Sequence, residues 1–135
     1  MSPSSLSEHP TTHSSRVPKS KYRLDTDSSS ILVLPDGRHL GYAQYGSLTG
    51  RAIFHLHGIP GSRLEGAFFD EEGLKHDARI ITIDRPGLGW SSPHPGWSLL
   101  SFTEDLVQLA AHLGLEKYGV MVRPAALSKQ NCKVN

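Results

Sequence analysis

The chain contains 135 residues, which allows one domain at most, because folded domains typically contain roughly 100 to 150 residues. Fourteen lysines and arginines against thirteen acidic residues give a net charge of +1, so charge excludes nucleic acid and a membrane surface as partners. The single cysteine excludes an internal disulfide or a four-cysteine zinc module, and with no signal-like or membrane-spanning apolar run it predicts a cytoplasmic location.

Residues 1–30 are predicted to form a disordered leader, because serine and proline are frequent there and large apolar side chains are few. The composition changes at residue 31. An apolar run over 31–34, a Pro-Asp-Gly turn signal at 35–37 and an alternating stretch over 39–45 predict a β-hairpin. We therefore expect the folded domain to begin at residue 31.

Strands and helices alternate after the hairpin. Strands separated by helices of ten or more residues predict right-handed crossovers and a parallel sheet, so the fold class is α/β. We expect the domain to end at residue 122, and 123–135 to be a polar tail unrelated to what precedes it. The predicted elements are buried strands over 52–57 and 79–84, a helix with an irregular start over 65–76, a helix from Ser98 or Ser101 to Gly114, and a short strand over 118–122.

Ligands of an α/β sheet bind in the loops beyond the carboxyl ends of the strands, which here follow His57, Asp84 and Val122. The first loop, residues 57–62 (His-Gly-Ile-Pro-Gly-Ser), leaves a buried strand and has to turn sharply, so its backbone N–H groups can point outward. An outward N–H at a strand end stabilises the oxyanion that forms in acyl transfer. On these residues alone, an ordinary glycine-proline turn is the simpler interpretation.

Residues 57–62 together with 84–91 (Asp-Arg-Pro-Gly-Leu-Gly-Trp-Ser) resemble the first half of an α/β-hydrolase-fold protein, and the resemblance covers residues 31–122. It implies a partial α/β-hydrolase sheet. It also implies that the complete family member hydrolyses small ester-like or related substrates and needs no cofactor or metal.

The same resemblance implies an oxyanion loop after the third strand. In that loop the Ile59 N–H is the donor, His57 and Gly58 shape the turn, and Pro60 fixes it. We therefore expect one wall of a small-molecule site at this strand end.

The second motif follows the fourth strand and is expected to shape the floor of the site, through Asp84, Arg85, Gly87 and Gly89. Asp84 and Arg85 allow two interpretations, a catalytic carboxylate with a substrate clamp or a structural pair that holds the loop to the sheet. We favour the structural pair, because the family takes its triad acid from much later in the chain.

The nucleophile that the family's chemistry requires is missing from the sequence. No Gly-x-Ser-x-Gly pentapeptide occurs, because residues 89–93 and 96–100 contain the first glycine and the serine but lack the second glycine. The triad acid and the general-base histidine have no counterpart either. We therefore expect a truncated family member with no catalytic residue and no turnover.

Three other interpretations remain open. His55 and His57 project from the same face of a strand, but zinc needs a third protein ligand. Residues 87–92 echo a dinucleotide-binding loop, but serine replaces its third glycine. The alternative to a hydrolase is a non-catalytic binding or regulatory remnant, which associates with another chain or with itself through an exposed sheet edge.

Overall fold

The computed structural model describes residues 22–123, so most of the predicted leader and tail, residues 1–21 and 124–135, lies outside the described part. The elements are β1 (Ser29–Val33), β2 (His39–Gly46), β3 (Arg51–Leu56), a 3₁₀ helix (Arg63–Phe69), α1 (Asp70–Lys75), β4 (Ala78–Ile83), α2 (Leu99–His112) and β5 (Gly119–Val122). The strands form one mixed sheet in the order β1-β2-β4-β3-β5. This arrangement confirms the predicted α/β class.

The hairpin at the start of the sheet is confirmed. β1 and β2 pair antiparallel, and Gly37 closes the turn with a φ of 87° and an N–H that donates to the Leu34 carbonyl. β1 begins at Ser29, two residues before the predicted start. The reason is that backbone pairing with β2 continues through Ser29 and Ser30, which need no apolar side chain to form ladder hydrogen bonds.

β3 lies in the interior of the sheet, parallel to β4 on one side and to β5 on the other. The hairpin joins this parallel part through β2, which runs antiparallel to β4. Because β3, β4 and β5 are parallel, their carboxyl ends meet at the same edge of the sheet. The loops that follow Leu56, Ile83 and Val122 therefore lie side by side.

α2 covers one face of the sheet. Its residues Phe102, Leu106 and Leu109 recur at helical spacing, are buried, and pack in one cluster with strand residues such as Phe54 and Ile81. Burial of this stripe holds the helix against the sheet. None of the described helices is long and apolar enough to cross a membrane.

The start of α2 is set by Ser98. Its hydroxyl accepts a hydrogen bond from the Ser101 N–H (3.2 Å), and the Ser101 hydroxyl accepts one from the Ser98 N–H (2.8 Å). This reciprocal capping box uses both serines that the sequence offered as starts. Gly114 follows the helix with a φ of 68°, as predicted.

The opposite face is covered by the 3₁₀ helix and α1, where the sequence predicted a single helix. At Gly66 a Cβ atom would lie 2.1 Å from Thr82 Oγ1, so glycine lets the 3₁₀ helix lie directly on β4. Ala67 packs there with Tyr45 and Ile80. The same glycine lowers α-helical propensity, which accounts for the irregular first half of the segment.

A buried ion pair connects α2 to the hairpin. Arg38 donates two hydrogen bonds to the Asp105 carboxylate, at 3.0 and 2.8 Å, and a third to Asp36 at 2.6 Å. Hydrogen bonding to Asp105 raises the pKa of Arg38 above its usual value. The paired geometry fixes the register of α2 on the sheet.

Candidate functional site

His57 leaves the end of β3 with its ring fully buried. Nδ1 lies 2.7 Å from the Gly58 carbonyl oxygen, and Nε2 lies 3.2 Å from the Arg85 backbone nitrogen. Because a carbonyl only accepts and an amide N–H only donates, Nδ1 carries the proton and Nε2 accepts, so the ring is neutral. Both ring nitrogens are therefore occupied by contacts to the loops after β3 and β4.

Arg85 holds the same residue from the other side. Its Nε and Nη2 atoms donate to the His57 carbonyl oxygen at 3.0 and 2.7 Å. The loop after β4 thus contacts the loop after β3 through both the backbone and the side chain of Arg85. A two-point contact of this kind fixes orientation as well as distance.

The Asp84 side chain binds different groups from those that its neighbour Arg85 binds. Its carboxylate is fully buried and accepts hydrogen bonds from the Arg63 N–H (2.7 Å), the Arg63 guanidinium (2.9 Å) and the Trp90 N–H (2.9 Å). The Ser91 hydroxyl donates to the Asp84 carbonyl oxygen (2.8 Å). Asp84 therefore has the structural surroundings that we favoured, but it is paired with Arg63 and not with Arg85.

Arg63 is a site residue that the sequence did not identify. Its guanidinium lies 3.7 Å from the centroid of the Trp90 ring, and its Nε donates to the Ser29 hydroxyl at 2.9 Å. The side chain is buried, because Trp90 and the Asp84 carboxylate enclose it. A buried carboxylate requires a cation, but the sequence contains 14 lysines and arginines and does not show which one supplies it.

The two glycines of the second loop are needed for different reasons. Both have positive φ, 79° at Gly87 and 53° at Gly89. A Cβ atom at Gly89 would lie 2.3 Å from Asp84 Oδ2, whereas the nearest atom to a Cβ at Gly87 would be 3.9 Å away. Gly89 therefore permits the loop to close over the Asp84 carboxylate, and Gly87 permits the turn alone.

Glu65 holds Gly58, the second residue of the loop after β3. Its Oε2 atom accepts a hydrogen bond from the Gly58 N–H (3.0 Å), and its Oε1 atom forms an ion pair with Arg123. The sequence did not identify Glu65 either, because a glutamate near the start of a predicted helix usually faces solvent. The 3₁₀ geometry turns it under the loop.

No described residue accepts a hydrogen bond from the Ile59 N–H, and the same holds for the N–H groups of Gly61 and Ser62 in this loop. The Ile59–Pro60 peptide bond is cis, and the Ile59 side chain is half exposed. The backbone around it is held at three points: Arg85 binds the His57 carbonyl oxygen, Glu65 accepts from the Gly58 N–H, and Asp84 accepts from the Arg63 N–H. The loop thus holds the Ile59 N–H in a fixed place at the carboxyl end of β3.

The alternative sites have little support in this geometry. The His55 ring is fully buried between Phe69 and Thr82, the nitrogens of His57 are occupied, and within residues 22–123 no group of three or more metal-ligating side chains occurs. Residues 87–92 do not open a helix, since α2 begins only at Leu99. Neither a zinc ligand set nor a phosphate-binding helix start is formed there.

His55 predicts a pH dependence of stability. Burial lowers its pKa, and the neighbouring Glu65 opposes that shift without reversing it. Because the unfolded chain then takes up the proton first, at a pH of about 6.5, we expect the free energy of unfolding to fall as the pH drops below that value, by at most about 1.4 kcal/mol per unit. Urea unfolding at several pH values measures this.

The matched comparison uses two glutamine variants. His55→Gln is expected to flatten the dependence between pH 7 and 5, because glutamine does not titrate. His39→Gln, at an exposed position on β2 where the described residues form no ion pair with the histidine, is expected to leave it unchanged. If the free energy of unfolding depends on pH equally in the wild type and in His55→Gln, His55 is not the source of the dependence.

Residues 51–122 match the model of a protein family, described as the alpha/beta hydrolase fold. The match covers more than half of the 135 residues, so the chain belongs to this family. The family identified from the two loop motifs is thereby confirmed.

Curated and solved relatives agree with this membership. A proline iminopeptidase of Xylella fastidiosa is 32% identical in an alignment of 99 residues that covers 67% of this chain and 29% of the relative. A bromoperoxidase from Bacillus anthracis has a TM-score of 0.58 and 29% identity, over 69% of this chain and 34% of that chain. A hydrolase from Pseudomonas aeruginosa, 22% identical, shares the fold with a TM-score of 0.64 over 73% of this chain and 37% of that one.

These matches also show how much of the length of its relatives the chain spans. The chain spans less than a third of the length of the curated relatives it matches. The matched part contains the loop after β3, residues 57–62, and the loop after β4.

Proposed function

We propose that residues 51–122 supply the oxyanion-binding part of a hydrolase site for small ester-like or related acyl substrates. The observation that carries this proposal is the Ile59 N–H, which has no acceptor among the described residues while the loop around it is held on three sides. A preorganised donor of this kind contributes about 2.7–4 kcal/mol of transition-state stabilisation where it has been removed from an enzyme.

The chemistry follows from the position of that donor. As a nucleophile attacks a substrate carbonyl, negative charge develops on the carbonyl oxygen, and the Ile59 N–H hydrogen-bonds to it. The donor does not have to reorient, because Arg85 holds the His57 carbonyl oxygen and Glu65 holds the Gly58 N–H. The names of the relatives, an iminopeptidase and a hydrolase, support acyl transfer as the reaction class.

We further propose that the 135-residue chain by itself does not turn over such substrates. The hydroxyl of Ser91 is buried and donates to the Asp84 carbonyl, and that of Ser98 caps α2. Among the described residues one hydroxyl contacts a histidine ring, Thr82 with His55 at 3.3 Å, and both side chains are fully buried. These groups support no accessible nucleophile with an adjacent base.

Labelling with a fluorophosphonate probe tests the absence of a nucleophile. We expect no covalent adduct on the purified chain, and no difference between the wild type and Ser91→Ala or Ser98→Ala. An adduct mapped to either serine, lost in the corresponding alanine variant, would overturn this part of the proposal.

A fused enzyme tests the oxyanion role. Residues 1–122 are joined to the part of the Xylella fastidiosa iminopeptidase that follows the matched region, and hydrolysis of p-nitrophenyl acetate is measured. We expect Arg85→Met to lower kcat about tenfold or more with little change in KM, because the donor is misplaced. Arg51→Met, at the exposed amino end of β3, is the control and is expected to leave both constants unchanged.

A folded fusion without hydrolysis would overturn the oxyanion role. The same conclusion would follow from equal kcat values in the Arg85→Met variant and its parent.

A second candidate function is self-association through β5. In the described part of the chain β5 pairs with β3 along one side only, and Val120 and Val122 are 52% and 59% exposed. An apolar strand edge is a template for pairing with another strand, and we propose β5 of a second copy as the occupant. Sedimentation is expected to show dimers or larger species for the wild type, and monomers for Val120→Lys. A monomeric wild type would overturn this candidate.

A further inference from the structure

We infer that Glu65 and the cleft beside the oxyanion loop form a subsite for a cationic group, namely a primary ammonium carried on an apolar body. This inference rests on the proposed function and specifies its substrate class. It concerns the second oxygen of the Glu65 carboxylate, since the first oxygen holds the Gly58 N–H.

Glu65 is a nearly buried anion. Its side chain is 11% exposed, whereas that of its ion-pair partner Arg123 is 55% exposed. A carboxylate at this depth needs a countercharge, because desolvation of an unpaired ion is costly. One of its oxygens is committed to the Gly58 N–H, and the other takes a cation. The exposed guanidinium is the part of this pair that a ligand can replace.

The surroundings of the carboxylate select for an apolar body. An open cleft of about 380 Å³ lies beside the oxyanion loop, and Glu65 is the one charged residue in its lining. The remaining lining residues are Leu24, Pro60, Gly61, Ser62, Leu64 and Phe68. A small apolar group fits these walls while its ammonium reaches the carboxylate.

The position of Glu65 also gives the cation a role in the reaction. Its carboxylate accepts from the residue directly before the Ile59 donor, so an uncompensated negative charge there would oppose the oxyanion. The Arg123 guanidinium neutralises that charge in the free chain, and a bound ammonium takes its place. Substrates that carry the cation gain a charge-assisted hydrogen bond to Glu65 that neutral analogues of the same shape lack.

The probe for this subsite is benzylamine, which is protonated at pH 7, and the neutral comparison compound is benzyl alcohol. Binding to the full 135-residue chain is measured by ligand-observed saturation-transfer NMR, which tolerates self-association. We expect saturable binding of benzylammonium and, for benzyl alcohol, affinity weaker by about tenfold, the factor that corresponds to one charge-assisted hydrogen bond.

Three variants separate a subsite from a structural ion pair. Glu65→Gln is expected to weaken benzylammonium binding about tenfold, and Arg123→Ala to tighten it roughly two- to fivefold, because the competing guanidinium is gone. Glu71→Gln removes the same charge from an exposed position on α1 and is expected to change nothing.

Equal affinity for the two compounds, or no change in Glu65→Gln, would overturn the inference. Weaker binding in Arg123→Ala would do the same, since it would show that the guanidinium builds the site. The experiment needs no turnover. Hydrolysis by the fused enzyme without ammonium binding would therefore remove the subsite alone, and ammonium binding without hydrolysis would remove the oxyanion role alone.

Discussion

Replacing Asp84 with alanine is expected to lower the free energy of unfolding by about 3–5 kcal/mol, because the buried Arg63 guanidinium loses its countercharge. The Arg63 and Trp90 N–H groups lose their acceptor in the same step. Urea unfolding followed by tryptophan fluorescence measures the loss, since the Trp90 ring lies against the Arg63 guanidinium.

The control is a double-variant cycle. Arg63→Met combined with Asp84→Ala is expected to cost less than the sum of the two single changes, by roughly 1–3 kcal/mol, because the second change removes the unpaired ion. Strictly additive costs would mean that Asp84 and Arg63 contribute independently. The stabilisation assigned to this buried ion pair would then be wrong.

Gly89→Ala is the second change with a large expected effect. A methyl group there would overlap the Asp84 carboxylate, with all three carboxyl atoms within 2.5 Å of the new Cβ, and the backbone has positive φ. We expect a loss of roughly 2–5 kcal/mol, of which overpacking is the larger part. Urea unfolding midpoints at constant slope measure it.

Gly87→Ala is the matched control. Its φ is also positive, 79° against 53° at Gly89, but the added Cβ would have no neighbour closer than 3.9 Å, so only the conformational cost of about 1–2 kcal/mol is expected. If the two alanine variants unfold at the same midpoint, the close approach of Gly89 to Asp84 contributes nothing to stability.

Much of the fold was predictable, because it depends on local patterns. The hairpin follows from a Pro-Asp-Gly turn between two apolar stretches, and α2 from apolar residues at steps of three and four. The 3₁₀ helix was not predictable in this way. It depends on the contact of Gly66 with Thr82, two residues on different elements that meet only after the sheet has formed.

In the candidate site, too, the parts set by local sequence were predictable and the parts set by tertiary contacts were not. The backbone part, a glycine-proline loop at the carboxyl end of β3, is recognisable as a motif, and the family resemblance implies the proposed donor role of Ile59. The side chains that hold the loop were missed or misassigned. Arg63 and Glu65 follow the loop closely in sequence, but their burial and their partners are set by tertiary contacts. Arg85 was identified, but its partner is the His57 carbonyl.

The central proposal is that the chain supplies an oxyanion-binding loop but no catalytic nucleophile. Steady-state hydrolysis of p-nitrophenyl acetate by the purified 135-residue chain tests it most directly. We expect the rate to equal that of buffer, with no burst of p-nitrophenol, while the fused enzyme hydrolyses the ester. Multiple turnovers that co-elute with the chain and scale with its concentration would show that residues 1–135 contain a complete catalytic site.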